Sequence, residues 1–404
     1  MKEPEAATNS PKPLSRPINI LQITKFIQGI GGMETRLLEF LKQRIPGFNF
    51  FVFALEPIPA FWRRQLDQLK IPYAYSPLKY STAELVRFAR EYRIDLSHLH
   101  HPWPEAVFEL KKAGVPIIIV HDHYGIWGPP SKIRKYLEYR ELTDGVITVS
   151  EAGRKLFLKR LNFDPAKVVT IHNGVDFKNL KADNPIKRPA EDLVVTSICR
   201  LEPVKGVDSL IKAVPVVRRK IKNVRFWIVG GGGQYRALMK LAQDLGVAKL
   251  IKFWGERRDI GNFLAVTDIF VLPSFREPFS GALIEAAYWA KPAIAANIDG
   301  NAEIISHNET GLLINPSIPV KSKYRKFAHF VVNGETKRLQ KPKTIDPVQL
   351  GKAVIRLLKA PELRRLMGEA ARGRALKLFG IERYSADLIA YYQTLLKAKG
   401  IIPS

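Results

Sequence analysis

Short apolar runs alternate with longer segments of helical period along this chain, and the series runs twice. Such alternation is the pattern of parallel sheets whose strands are joined by helices. The first series predicts a strand at 18–24, a glycine-rich turn, a helix near 33–43, and strands at 50–54, 95–99, 116–120, 145–149 and 168–171. Residues 177–192 are polar, hold Pro185 and Pro189, and have no period, which marks a linker. The alternation then restarts at 193–199, 225–229, 250–253, 269–272 and 293–296. Two doubly wound α/β units facing a cleft are expected, with ligands beyond the C-terminal ends of the strands.

Composition limits the function classes. A length of 404 residues suits two or three domains, and one cysteine, Cys199, leaves no disulfide framework and no cysteine cluster for zinc. No apolar run approaches the ~18 residues of a membrane span. Residues 1–17 have no apolar core and read as a flexible tail, not a secretory signal. The 64 Lys+Arg against 38 Asp+Glu give a formal charge of +26. The basic residues are spread along the chain, so charge alone does not choose between nucleic acid, an anionic membrane and anionic substrates.

The candidate site residues cluster after the predicted strands. Gly29-Ile30-Gly31-Gly32-Met33-Glu34 follows the first strand and opens a helix. Glycines permit close backbone approach and a helix N-terminus favours anions, although a plain strand-to-helix turn would read the same. Arg200 and Lys205 lie on one loop, spaced to clamp a diphosphate, or are two surface cations of a basic chain. Gly230, Gly231, Gly232 and Gly233 exceed an ordinary turn and suggest backbone against a ligand, without P-loop spacing.

The strongest constellation is Glu277-Pro278-Phe279-Ser280-Gly281-Ala282-Leu283-Ile284-Glu285, which joins a strand to an apolar helix. Amides of Phe279, Ser280, Gly281 and Ala282 are expected to face the cleft as anion donors. Glu277 can meet sugar hydroxyls, and Glu285, one helical turn in, can accept two hydroxyls of a ribose. The alternative is a capped helix with two solvated acids. His98, His100, His101, His121 and His123 lie near two strand ends, with no cysteine and no tight metal-binding spacing beside them. His121 is placed to touch a sugar near the reacting region, or is a buried structural histidine. Trp103, Tyr124 and Trp127 could stack on acceptor sugars or anchor the core.

In this order, with Val149-Ser150-Glu151, His172-Asn173-Gly174-Val175-Asp176, Phe253-Trp254-Gly255 and Asn308-Glu309-Thr310-Gly311-Leu312-Leu313, these motifs resemble the retaining family-4 glycosyltransferases of the GT-B fold. The resemblance implies two Rossmann-like domains. The first (18–180) would take the acceptor, the second (181–382) the nucleotide-sugar, and a final helix (383–404) would return to the first. Arg200 and Lys205 would neutralise the donor diphosphate, and Gly31 and Gly32 would close over it. Glu277 would hold the transferred sugar, Glu285 the ribose, and His121 would contact the sugar near the reacting carbon. No cofactor or metal is required in such a family, only a UDP- or GDP-linked sugar as co-substrate, and Asp-x-Asp is absent from the sequence.

Three departures stand out. Ala290 replaces a usual glycine, Gly300 stands alone where two glycines are common, and residues 318–345 form a basic insertion, expected as a hairpin or flexible segment on the rim. The leading expectation is a cytoplasmic glycosyltransferase docking at the inner face of the membrane and acting on a glycan or lipid-linked acceptor, with no nucleic-acid partner. A non-catalytic polyanion-binding protein, or a GT-B nucleotide-sugar epimerase or hydrolase, are the alternatives.

Overall fold

The computed structural model describes residues 16–26, 32–76, 82–101, 103–123 and 136–403. Seven parallel strands form the first sheet: β1 (Ile18–Thr24), β2 (Phe48–Ala54), β3 (Tyr73–Tyr75), β4 (Leu96–Leu99), β5 (Ile117–Asp122), β6 (Gly145–Thr148) and β7 (Val168–Thr170). Their order is β3-β2-β1-β4-β5-β6-β7. The second sheet comprises β8 (Leu193–Ile198), β9 (Val224–Val229), β10 (Ile251–Phe253), β11 (Ile269–Leu272), β12 (Ala293–Ala296) and β13 (Gly311–Ile314), in the order β10-β9-β8-β11-β12-β13. Helices cover both faces, so central strands such as β5 and β11 are buried throughout; β11 is apolar along its length, and β5 is apolar until His121 and Asp122 at its end. In each sheet the winding reverses between the first strand and its neighbour β4 or β11, which opens a crevice at the C-terminal edge.

Two crossings join the domains. Residues after β7 lead to the second sheet, and the chain returns where the helix Pro361–Leu378 ends and Ile381–Ala398 begins. The returning helix lays Ile381, Tyr384, Leu388, Tyr392 and Leu396 into the first domain's core, a stripe of nearly regular i, i+4 spacing. The two crossings are stitched together: Val175 N–H donates to Phe379 O at 2.8 Å and Ile381 N–H to Val175 O at 3.0 Å. Gly174 is required there, because a Cβ would lie 2.6 Å from that of Tyr384.

The basic insertion is built into the second domain. β14 (Ile318–Pro319) pairs with β17 (Lys343–Thr344), and β15 (Val331–Val332) with β16 (Leu339–Gln340), both antiparallel. Val320, Ala328, Val331, Val332 and Ile345 are buried in that domain's core. The expected hairpin is present as β15 and β16, and these apolar side chains anchor the segment to the domain. Among the described residues no helix is long and apolar enough to cross a membrane.

Candidate active site

The loops that leave β8 and β11 bring together residues far apart in sequence. After β8 the chain turns through Arg200 and Lys205 to Gly206, whose φ of 64° and close approach to Pro273 O (2.2 Å from a would-be Cβ) exclude a side chain. Lys205 Nζ then reaches Glu277 Oε2 at 2.7 Å, and Ser274 Oγ donates to the same oxygen at 3.0 Å. Glu277 is buried, whereas Arg200 is exposed at the same edge. The proposed diphosphate cation and the proposed sugar carboxylate thus neutralise each other in the unliganded protein.

Ser280 caps the helix Gly281–Tyr288, its Oγ accepting from Leu283 N–H at 3.3 Å. Phe279 is buried and stacks on His172 with ring centroids 4.8 Å apart, which fixes the turn against the interdomain crossing. Gly281 and Ala282 lie in the first helical turn beside Glu285. Glu285 faces the other domain: Arg36 Nη2 approaches its Oε1 at 3.2 Å, while Arg36 Nη1 donates to Glu39 Oε2 at 2.8 Å and Gly174 O at 3.0 Å. The helix Gly32–Leu41 therefore contributes a cation to the pocket edge that the motif reading missed. Gly32 opens that helix with nothing within 4 Å of a would-be Cβ, and Gly31 lies outside the described residues.

The four-glycine run has another physical cause for two of its members. Gly230 (φ 136°) and Gly232 (φ 148°) pack on the Arg200 loop, where a Cβ would come 1.9 Å from Cys199 O and 2.7 Å from Leu201 O. Contact with their own neighbouring loop therefore suffices to require both. Gly231 has only Glu256 atoms near it, at 3.8 Å and beyond, and its carbonyl accepts from Leu201 N–H at 2.7 Å.

Ala290, which replaces a usual glycine, has left-handed backbone at φ 54°, and so has Asp299, the residue before Gly300, at φ 43°. The Asp299 side chain joins two loops. Asp299 accepts from Glu277 N–H at 3.2 Å and from Val332 N–H at 2.7 Å, tying the Glu277 loop to the insertion. Burial pushes its carboxyl up to about 7 despite these donors. Arg276 donates to Phe327 O of the insertion at 2.9 Å, and burial lowers its pKa while Glu277, Asp299 and Asp122 raise it. That influence sets the end of β5 opposite the β11 loop, across the crevice.

His121 is fully buried at the end of β5, one residue before Asp122. His98, His100 and His121 have ring nitrogens all within 4.8 Å of one another, yet both nitrogens of His98 and His100 are engaged by hydrogen bonds. Trp103 is partly buried against the core on the opposite face of the sheet, edge-on to His101, which suits an anchor more than an acceptor platform. Tyr124 and Trp127 lie outside the described residues. Glu303 joins the domains: it accepts from Glu151 N–H (2.9 Å) and Ala152 N–H (3.0 Å) at the start of the helix Glu151–Leu161, and pairs with His172 Nε2 at 2.8 Å. Arg36, Arg276, Asp299 and Glu303 carried no motif signal, because each is defined by partners distant in sequence.

Two Rossmann-like domains with a crossing C-terminal helix and this cleft constellation define a GT-B glycosyltransferase scaffold. Comparison with known proteins agrees. Residues 30–179 match the model of Glycosyltransferase Family 4, and residues 179–322 match that of Glycosyl transferases group 1. The chain belongs to the family-4 glycosyltransferases. It is 32% identical over 190 residues to a Mycobacterium tuberculosis GDP-mannose-dependent α-(1-6)-phosphatidylinositol monomannoside mannosyltransferase, covering 43% of this chain and 49% of that one. The match thus spans about half of that relative. It is 23% identical over 395 residues to the N-acetyl-α-D-glucosaminyl L-malate synthase of Bacillus anthracis, covering 91% and 93% of the two chains. In structure it resembles HepE of Anabaena, solved with UDP and glucose, with TM-score 0.75 and 19% identity over 93% of this chain and all of that one.

Proposed function

We propose that the protein transfers a sugar from a UDP- or GDP-linked donor to a glycan or lipid-linked acceptor, with retention of anomeric configuration. The observation that carries this reading is the convergence of Arg200, Lys205, Glu277 and the Ser280-capped helix at one sheet edge. Breaking the glycosyl–phosphate bond leaves positive charge on the sugar carbon and negative charge on the departing diphosphate. Arg200, Lys205 and the amides of the capped helix stabilise the second charge, as preorganised dipoles and cations do. A donor diphosphate would draw Lys205 from Glu277 and release that carboxylate to the sugar hydroxyls. Glu285 would exchange Arg36 for the ribose. The acceptor oxygen bonds to the sugar carbon on the face the diphosphate leaves, and its proton passes to a diphosphate oxygen.

The names of relatives support both nucleotides and a lipid acceptor, since one is a GDP-mannose-dependent phosphatidylinositol monomannoside mannosyltransferase and a structural neighbour was solved with UDP. We also place the protein in the cytoplasm, at the inner face of the membrane, with no nucleic-acid partner. Exposed Lys321, Lys323, Arg325 and Lys326 on the anchored insertion offer an anionic surface about 1 kcal/mol each. The test is an assay of sugar release from a panel of UDP- and GDP-sugars. Glu277→Gln should bind the nucleoside diphosphate nearly as well as wild type and lose most turnover. A normal rate in that variant would remove Glu277 from the reaction.

A further inference from the structure

Strand parity gathers the histidines on one face of the first sheet. Gln22 pairs with His98 across β1 and β4, and His98 with Ile119 across β4 and β5. Successive side chains alternate between faces, so Gln22, His98, His100, His121 and His123 all share one. The returning helix covers that face and inserts Tyr392, which is fully buried. A continuous chain of hydrogen bonds results. Tyr392 Oη meets His98 Nδ1 at 2.5 Å, and His98 Nε2 meets His121 Nδ1 at 3.0 Å. On the other branch His100 Nε2 meets Gln22 Oε1 at 2.8 Å, and His100 Nδ1 meets His123 Nε2 at 3.0 Å.

A neutral imidazole carries one N–H, so the proton at one end of such a chain dictates all the others. Burial holds these rings neutral, with His98, His121 and His123 pushed well below the ordinary histidine range and His100 to about 3. The amide of Gln22 supplies the starting polarity: Nε2 donates to Tyr392 Oη at 3.2 Å while Oε1 faces His100. With its oxygen accepting from Gln22, Tyr392 gives its own proton to His98 Nδ1. His98 then carries its hydrogen on Nε2 and donates it to His121 Nδ1. His121 is left with its hydrogen on Nε2, a buried atom with no partner among the described residues. The opposite amide orientation would reverse each bond and leave that atom a bare acceptor.

We infer that Gln22 and Tyr392, acting through His98, are positioning residues that lock His121 as its Nε2–H tautomer, presenting one hydrogen-bond donor to the oxygens of the bound nucleotide-sugar. This rests on the reading of His121 as a cleft residue given above. A fixed neutral donor complements a sugar hydroxyl or a phosphate oxygen gaining charge, and it requires no ionised group in a buried site. It also gives the C-terminal helix a chemical task besides packing.

The test is histidine tautomer assignment by long-range 15N–1H correlation in 15N-histidine-labelled protein, with turnover of UDP-glucose and GDP-mannose measured in parallel. Wild type should show His121 as Nε2–H. Tyr392→Phe, which keeps the ring and the packing, should mix or reverse that tautomer. It should lower kcat at least tenfold while changing KM for the nucleotide-sugar less than threefold. His98→Gln, whose amide can still donate to His121 Nδ1, should keep the tautomer and retain more turnover than His98→Met. A wild-type His121 protonated on Nδ1, or a tautomer unchanged in Tyr392→Phe, would overturn the relay whatever the rates. Stoichiometric Zn²⁺ uptake that displaces these hydrogen bonds would overturn it as well. A changed tautomer with normal turnover would instead overturn the role of His121 in the reaction.

Discussion

Breaking the Lys205–Glu277 pair from one side should cost more than removing it whole. The Nζ–Oε2 distance is 2.7 Å, and the two side chains keep 17% and 6% of their exposure, so neither charge can be rehydrated in place. Removing one partner of a buried pair costs about 3–5 kcal/mol, whereas replacing both by uncharged groups of similar shape is often close to neutral. Ser274 Oγ still holds Glu277 at 3.0 Å when Lys205 is lost, which puts Lys205→Met near the lower end, at about 3 kcal/mol. For a domain of this size that corresponds to a fall in Tm of about 6–12 °C. Glu277→Gln keeps an acceptor for Lys205 and a partner for Ser274, so it should cost only about 1–2 kcal/mol. The double variant should recover most of the loss. Urea unfolding of the four proteins closes the cycle and should give a coupling of about 3 kcal/mol. Saturating UDP or GDP should shrink that coupling, because the diphosphate offers Lys205 another anion. A coupling below about 0.5 kcal/mol in the unliganded protein would refute the reasoning.

Asp299, pushed from 3.8 to about 7, binds its proton more tightly when folded, so its favourable contribution is complete below pH 3.8 and lost as pH rises through 7. At about 1.4 kcal/mol per unit the loss is at most about 4 kcal/mol. Relative to wild type at the same pH, Asp299→Asn should therefore gain stability between pH 5 and pH 8. An equal offset at both would remove the ionisation from the argument. The buried histidines slope the other way, since their folded values lie below 6.5 and stability is lost as pH falls through it, but this cancels in the comparison. On the membrane, wild type should sediment with anionic and not zwitterionic vesicles after nuclease treatment, and high salt should reverse it. Lys321→Glu combined with Lys323→Glu and Lys326→Glu should weaken that binding without melting the insertion, whose anchors are apolar. Equal recovery with neutral vesicles would leave the membrane reading without support.

Strands were legible where burial on both faces wrote a mostly apolar run: 269–272 and 293–296 were placed to the residue, and so was 18–24 although Asn19, Gln22 and Thr24 interrupt it. β3 escaped, because Tyr73–Tyr75 is three partly exposed residues at a sheet edge and carries no such run. The insertion was read by its charges. Its anchors, among them Val320, Ala328 and Ile345, are buried apolar residues scattered through a basic segment and form no period. Motifs located the β8 and β11 loops and the pair Lys205 and Glu277, but not their direct contact, which only the sheet order β8-β11 brings about. Arg36, Asp299, Glu303 and Tyr392 were invisible for the same reason. Each acts on a residue supplied by another strand or by the other domain. Glycines misled in the opposite sense, since Gly230 and Gly232 pack closely on their own neighbouring loop.

The central claim is that the second domain's edge binds a nucleoside diphosphate through its cations. Arg200 is exposed in the unliganded protein, so Arg200→Ala should fold and melt as wild type does. A charge-assisted hydrogen bond is worth roughly 1.5–3 kcal/mol. Calorimetric titration of UDP and GDP should therefore find one of them bound by wild type and at least about tenfold weaker in Arg200→Ala. Equal affinity in the two proteins, or binding of neither nucleotide to wild type, would contradict the account.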